Sequence, residues 1–259
     1  MYIFIFSLIA IIVGFATAGL KIQFDRFFAI ILLVTMMKLS VAGAVNTFLW
    51  IMFLSAAYVL WSNRHKIKDM PAVNKKKFMT LVPVLAFIGV FSGTIFFARA
   101  ANLTLSITLG ILALLYGLRL IFIHFKPWET EYKDAKPIYQ KLCGLLGPIV
   151  SGFFAGFIGT ALKPLKIAFA VKAGKMNLGQ VYLGNTITAF YASFFAIILH
   201  FFYIKQSVMT LNNILLGVSL WLAIHLIYKI TDLFFRDAWR KTFQILIGLI
   251  LIVVAFKFF

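Results

Sequence analysis

Apolar runs separated by short polar stretches organise the chain from one end to the other. They fall at 2–20, 27–37, 39–61, 78–98, 102–125, 144–162, 164–173, 178–203, 211–230 and 241–259. A helix needs ~20 residues to cross the hydrocarbon layer, and most of these runs reach that length. The runs at 27–37 and 164–173 do not, and each lies beside charge or proline. Short segments of that kind predict half-helices or re-entrant pieces, which survive only where protein or a water-filled cavity covers their backbone. The pattern predicts an all-α polytopic membrane protein.

A repeat underlies the pattern. Leu39 to Thr47 aligns with Leu178 to Thr186, so that Asn46-Thr47 falls on Asn185-Thr186. Upstream, Val13 to Gly19 resembles Ser151 to Phe157, and downstream Gly110 pairs with Gly248. Self-similarity at matched spacing is the mark of a duplicated unit. The expected organisation is a first membrane repeat over 1–125, a cytoplasmic linker over 126–143 and a second repeat over 144–259, with about five apolar segments in each repeat. Ala16-Thr17-Ala18 has the form of a signal-peptide cleavage site. No basic residue precedes it, however, and the first run has its counterpart deep in the chain, so a retained helix is expected.

Charge adds orientation. Arg64, Lys66, Lys68, Lys75, Lys76 and Lys77 crowd the stretch 62–77, whereas its counterpart at 204–210 holds only Lys205. The turn near Arg99 is poor in cations, and its counterpart carries Lys229, Arg236, Arg240 and Lys241. Because basic loops stay in the cytoplasm, this swap predicts oppositely oriented, inverted repeats with both termini outside.

Composition narrows the function classes. Hydrophobic residues make up 63% of the chain and charged residues 12%, against ~45–50% and ~25% in soluble domains. The net charge of +18 is explained by loops on the cytoplasmic side, so no nucleic-acid partner is expected. One cysteine, Cys143, and four scattered histidines offer no metal or redox cluster, and there is no phosphate-binding glycine-lysine loop. Cofactors and enzymatic chemistry are therefore not expected. The partners expected are the bilayer and a small anion, with room for a homodimer. A bacterial inner membrane is the expected location.

Candidate binding residues are those costly to place in lipid. Gly156, Gly159, Thr160, Lys163, Pro164 and Lys166 interrupt an apolar run. Glycine lets backbone approach a ligand, and a broken helix offers unpaired N–H groups to an anion. Lys163, ahead of Lys166, supplies the balancing charge, unless both merely snorkel to the interface. Asn46, Thr47, Asn185 and Thr186 can donate to an oxyanion without the desolvation cost of a charge, or else bond between packed helices. Lys38 stands alone between two apolar runs, where an intramembrane cation or an interfacial bend accounts for it. Arg119, His124, His200, His225 and Lys229 are expected at interfaces, and Asp25 in a turn.

The duplicated layout, the stretch Gly152 to Gly159 followed by Lys163-Pro164, and Leu183-Gly184-Asn185-Thr186 resemble the TauE/SafE family of sulfite exporters over essentially the whole chain. Where that family carries three glycines and a proline, this chain reads Gly159-Thr160-Ala161-Leu162-Lys163-Pro164. The resemblance implies secondary export of sulfite or an organosulfonate by alternating access. It implies a site of Gly156, Gly159, Thr160, Lys163, Asn185 and Thr186, with Asn46 and Thr47 from the other repeat. A different organic anion, or a docking subunit that transports nothing, is the alternative.

Overall fold

A computed structural model describes residues 2–20, 28–70, 72–122, 137–162, 178–204, 210–234 and 237–259. Among them the chain is helical, with no strand. The helices are α1 (Tyr2–Leu20), α2 (Phe28–Thr35), α3 (Val41–Ser62), α4 (Arg64–Lys68), α5 (Ala72–Lys76) and α6 (Val82–Arg99), followed by α7 (Asn102–Phe122) and α8 (Pro137–Ile158). After these come α9 (Leu178–Tyr203), α10 (Leu211–Phe234) and α11 (Asp237–Ala255). Seven of the helical segments are long and apolar enough to cross a membrane. Side chains such as Phe4, Phe96, Leu103, Leu115, Leu226 and Phe234 stand exposed around the outside. Apolar surface on that scale belongs against lipid. The protein is a multi-pass helical membrane protein.

Local chemistry sets the helix ends. Ser40 caps α3, its Oγ accepting from the Gly43 N–H at 3.1 Å, which satisfies one of the four donors a helix start leaves open. Pro83 lies in the first turn of α6 and cannot donate to the carbonyl four residues back, and the chain enters α6 through a π-turn at Lys77–Leu81. Hydroxyls inside the bundle bond back to their own helices, as Thr17 does to the Val13 carbonyl at 2.7 Å and Ser193 to that of Ala189 at 2.7 Å. In hydrocarbon no water competes for these groups.

The short run at 27–37 folds as α2, eight residues and therefore only about 12 Å long. Phe28 to Leu33 are all buried, so protein covers its backbone. Its counterpart at 164–173 lies outside the described residues. The helix expected from 144 starts earlier, at Pro137, inside the stretch read as linker. Its first turns carry Gln140 and Lys141, which an apolar pattern does not register.

Glycines reveal how the helices run. A Cβ on Gly89 would come 2.0 Å from the Ile149 carbonyl oxygen, and one on Gly93 2.1 Å from that of Phe153. Reciprocally, a Cβ on Gly152 would come 2.3 Å from the Ala86 carbonyl oxygen and one on Gly156 2.4 Å from that of Val90. Numbers rise together on both sides, so α6 and α8 run parallel with backbones in direct contact along a small-xxx-small seam. Helices α7 and α11 are antiparallel, Gly110 meeting Phe258 and Gly117 meeting Gly248. Helix α3 runs parallel to α10, with Gly43 beside Asn213, Gly217 against Thr47 and Tyr58 against His225. It is antiparallel to α9, Asn46 reaching His200 and Phe53 stacking on Phe190. Helix α9 in turn runs alongside α6 in the same direction, from Gly184 on Phe78 to Phe195 on Phe87. The most extensive pairings, α6 with α8, α7 with α11 and α1 with α10, each join a helix before residue 126 to one after 136.

Candidate functional site

Helix directions define two ends. The basic end holds the C-terminus of α3, helix α4 with Arg64, Lys66 and Lys68, and the N-terminus of α9. The far end holds the starts of α3 and α10 and the C-termini of α6, α8 and α9.

A cavity of about 400 Å³ opens at the basic end. Thr17 of α1, Ser55, Tyr58 and Ser62 of α3, Tyr182 of α9, and Trp221, His225 and Lys229 of α10 are among its lining residues. From Ser55 to Asn63, both in the wall, the cavity reaches about 12 Å along α3. His225 is boxed by aromatics: Trp221 stacks on it at 5.7 Å, and Tyr58 meets it edge-on at 4.3 Å. The Lys229 ammonium lies 5.6 Å over the Tyr58 ring, a cation–π contact that steadies a charge in an apolar setting. Trp221 Nε1 is buried with no hydrogen-bond partner. One turn deeper than Tyr182 on α9, Asn185 is 6% exposed and its Nδ2 donor is unpaired. An unmatched buried donor costs about 1–3 kcal/mol, which an oxyanion reaching it would recover.

The far end holds a different arrangement among the described residues. His200, 2% exposed, lies with Nδ1 2.8 Å from Asn46 Oδ1 and Nε2 2.7 Å from the Gly156 carbonyl oxygen. Phe97 stacks on the imidazole at 4.6 Å. One ring thus ties α9 to α3 and α8 and packs on α6. Beside it, α8 ends at Gly159, whose φ of +74° is open to glycine at little cost. A Cβ there would press on the Val45 carbonyl oxygen at 3.1 Å. The chain then turns back, so that Ser151 Oγ donates to the Ala161 carbonyl at 2.8 Å. Thr160, Ala161 and Leu162 are buried.

Of the residues singled out in sequence, Asn46, Thr47, Gly156, Gly159 and Thr160 gather at the far end. Thr47 Oγ1 is buried there with no hydrogen-bond partner. Asn185 and Thr186 lie at the other level, and the Thr186 hydroxyl donates to the Tyr182 carbonyl at 2.9 Å. Since Asn46 touches His200, and α9 is one unbroken helix from Asn185 to His200, about 22 Å of helix separates the two Asn-Thr pairs. Lys38 is exposed and ends α2 in a left-handed turn at φ 58°. Leu39 N–H bonds the Leu33 carbonyl across it at 3.3 Å, so a bend accounts for this lysine. Lys163, Lys166 and Asp25 lie outside the described residues.

The sequence places His200 at an interface, and it lies three residues from the C-terminal end of α9. It is in the protein interior, and the signal that marks it is a lone ionisable group inside the apolar run Ala196 to Phe202. Tyr58, Trp221 and Tyr182 carry no sequence signal, because aromatic residues are frequent throughout this chain. No protein-family model, curated protein or solved structure matches the chain.

Proposed function

We propose that this protein is a secondary transporter that exports a small sulfur-containing anion, sulfite or an organosulfonate, from a bacterial cell by alternating access. The TauE/SafE resemblance supplies the cargo class. The observation that supports the mechanism is a contrast among the described residues: a polar cavity reaches inward past Tyr182 to Ser55, while the level beside Asn46 is occupied by His200.

Inverted repeats make sense of that contrast. Matching α1 to α8, α3 to α9, α6 to α10 and α7 to α11 turns the most extensive packings into one another, although α8–α9 has no counterpart of similar extent between α1 and α3. The α6–α8 pair becomes α10–α1, and parallel α3–α10 becomes parallel α9–α6. Antiparallel α3–α9 and α7–α11 map onto themselves. A Cβ on Gly14, the counterpart of Gly152, would meet the Ile227 side chain and the Ile224 carbonyl, where one on Gly152 would meet the backbone of Ala86 and Val90. Under such symmetry Asn46 and Asn185 are equivalent, and a cavity on the side of one with His200 packed beside the other is a single state of a rocking cycle.

With the basic end in the cytoplasm, the cavity faces inward. Lys229 in its wall supplies a cation, with the Asp232 carboxyl in the same wall, and Asn185, one turn along α9 from the lining residue Tyr182, offers an unpaired donor to an oxygen. An anion leaving a negative-inside cell gains about 2.3 kcal/mol per charge at 100 mV. The test is flux of sulfite, thiosulfate, sulfoacetate and taurine in proteoliposomes, with and without an imposed potential. One sulfur anion should move, and Asn185→Ala should cut its flux about tenfold, the worth of one buried hydrogen bond to a charge. A carboxylate moving in place of all four would reassign the cargo, and no flux of any anion through folded protein would overturn the reading.

A further inference from the structure

Both nitrogens of His200 face carbonyl oxygens. The Gly156 oxygen is main chain and can only accept. The Asn46 amide is oriented by its own second bond, Nδ2 donating to the Ala42 carbonyl at 3.0 Å, which leaves Oδ1 toward the ring at 2.8 Å. A neutral imidazole carries one N–H and one lone pair. In either tautomer a lone pair therefore meets a carbonyl oxygen at hydrogen-bond distance. Turning the amide over only moves the clash to Asn46 Oδ1 against the Ala42 carbonyl. With a second proton on the ring, all three contacts become hydrogen bonds, two of them charge-assisted and so the stronger kind. Phe97, stacked on the ring at 4.6 Å, accommodates that cation.

From these contacts we infer that His200 is a proton-binding site that ties α9 to α3 and α8 at the far end. Resting on the transport reading above, the second half of the inference is that this proton is the coupling ion. The groups that face the ring are an amide from α3, a phenyl ring from α6 and a main-chain carbonyl from α8. No carboxylate is among its contacts in the described residues, and the charged groups nearest along those elements, Arg99 and Lys38, are exposed. Proton occupancy of the ring is thus set by the two oxygens, which favour the charged form, and by its burial, which opposes charge. When the proton leaves to water, one nitrogen keeps its N–H and its bond, and the other repels its oxygen. Either α3 or α8 is then released from α9 and can move against it. Rebinding a proton restores both bonds.

Two measurements on the full chain in lipid vesicles decide the matter. Solid-state NMR of ¹⁵N-labelled histidine, with His200→Gln used to assign the signal, reads the charge of the ring directly. The expected result is two protonated nitrogens at the acid end of a titration from about pH 3 to about 9 and loss of one proton as pH rises, a range wide enough to include a histidine removed from water. A single neutral tautomer throughout, or an unchanging cation throughout, overturns the proton site. In the same vesicles an internal pH dye should record proton movement alongside anion flux in the parent, and none with His200→Gln. Proton movement that persists in that variant overturns the coupling. If the parent moves no anion, the transport reading fails, while the NMR titration still decides the proton site.

Discussion

At the level of single residues, position on the helix surface matters more than residue type. Gly89 and Gly147 are both helical glycines, yet a Cβ on Gly89 meets backbone at 2.0 Å and one on Gly147 meets nothing within 4 Å. Gly89→Ala should therefore lower thermal stability in detergent by the equivalent of about 1–3 kcal/mol or more. Gly147→Ala should be neutral or slightly stabilising, because alanine is favoured over glycine in a helix by up to about 1 kcal/mol. Equal effects from the two would mean that the seam is not a close backbone contact. The same distinction limits what sequence can tell. Asn46 and Asn185 look alike in the repeat, but one is engaged by His200 and the other has an unpaired donor. That difference arises from a contact between residues 154 apart in sequence, which no local pattern encodes.

Individual elements were largely legible. Periods of apolar residues predict α3, α9 and α10 closely because a membrane span has to be apolar on every side. The short segment at 27–37 stands out by its length and by the charge beside it, and it is a buried eight-residue helix. The start of α8 was missed, because its polar first turns leave the hydrocarbon pattern while continuing the helix. Caps act at this level too. Ser40→Ala removes the bond to the Gly43 N–H and should cost about 1 kcal/mol, measurable as a lower melting temperature. Replacement by Asp or Asn should largely restore it, and failure of both to do so would assign Ser40 another role.

Across the whole molecule, the sequence halves are not the spatial halves. Helices α6, α8 and α9 pack on one another, and α1 and α3 both pack on α10, so each cluster draws on both sides of the stretch 126–136. Chains cut at residue 125 should be unstable when made singly and should recover a folded protein when made together, as judged by a monodisperse peak in size-exclusion chromatography. Two halves that are each stable alone would contradict this picture.

That interleaving has a consequence for how the protein is made. Gly89 and Gly93 enter the bilayer well before Gly152 and Gly156 have been synthesised, so the groove on α6 must wait against lipid for its partner. Assembly of the seam is a late event, governed by when α8 leaves the ribosome. Ribosome-bound chains stopped before Ile158 should show the groove open to cross-linking with lipid, and chains stopped well after it should show the groove protected.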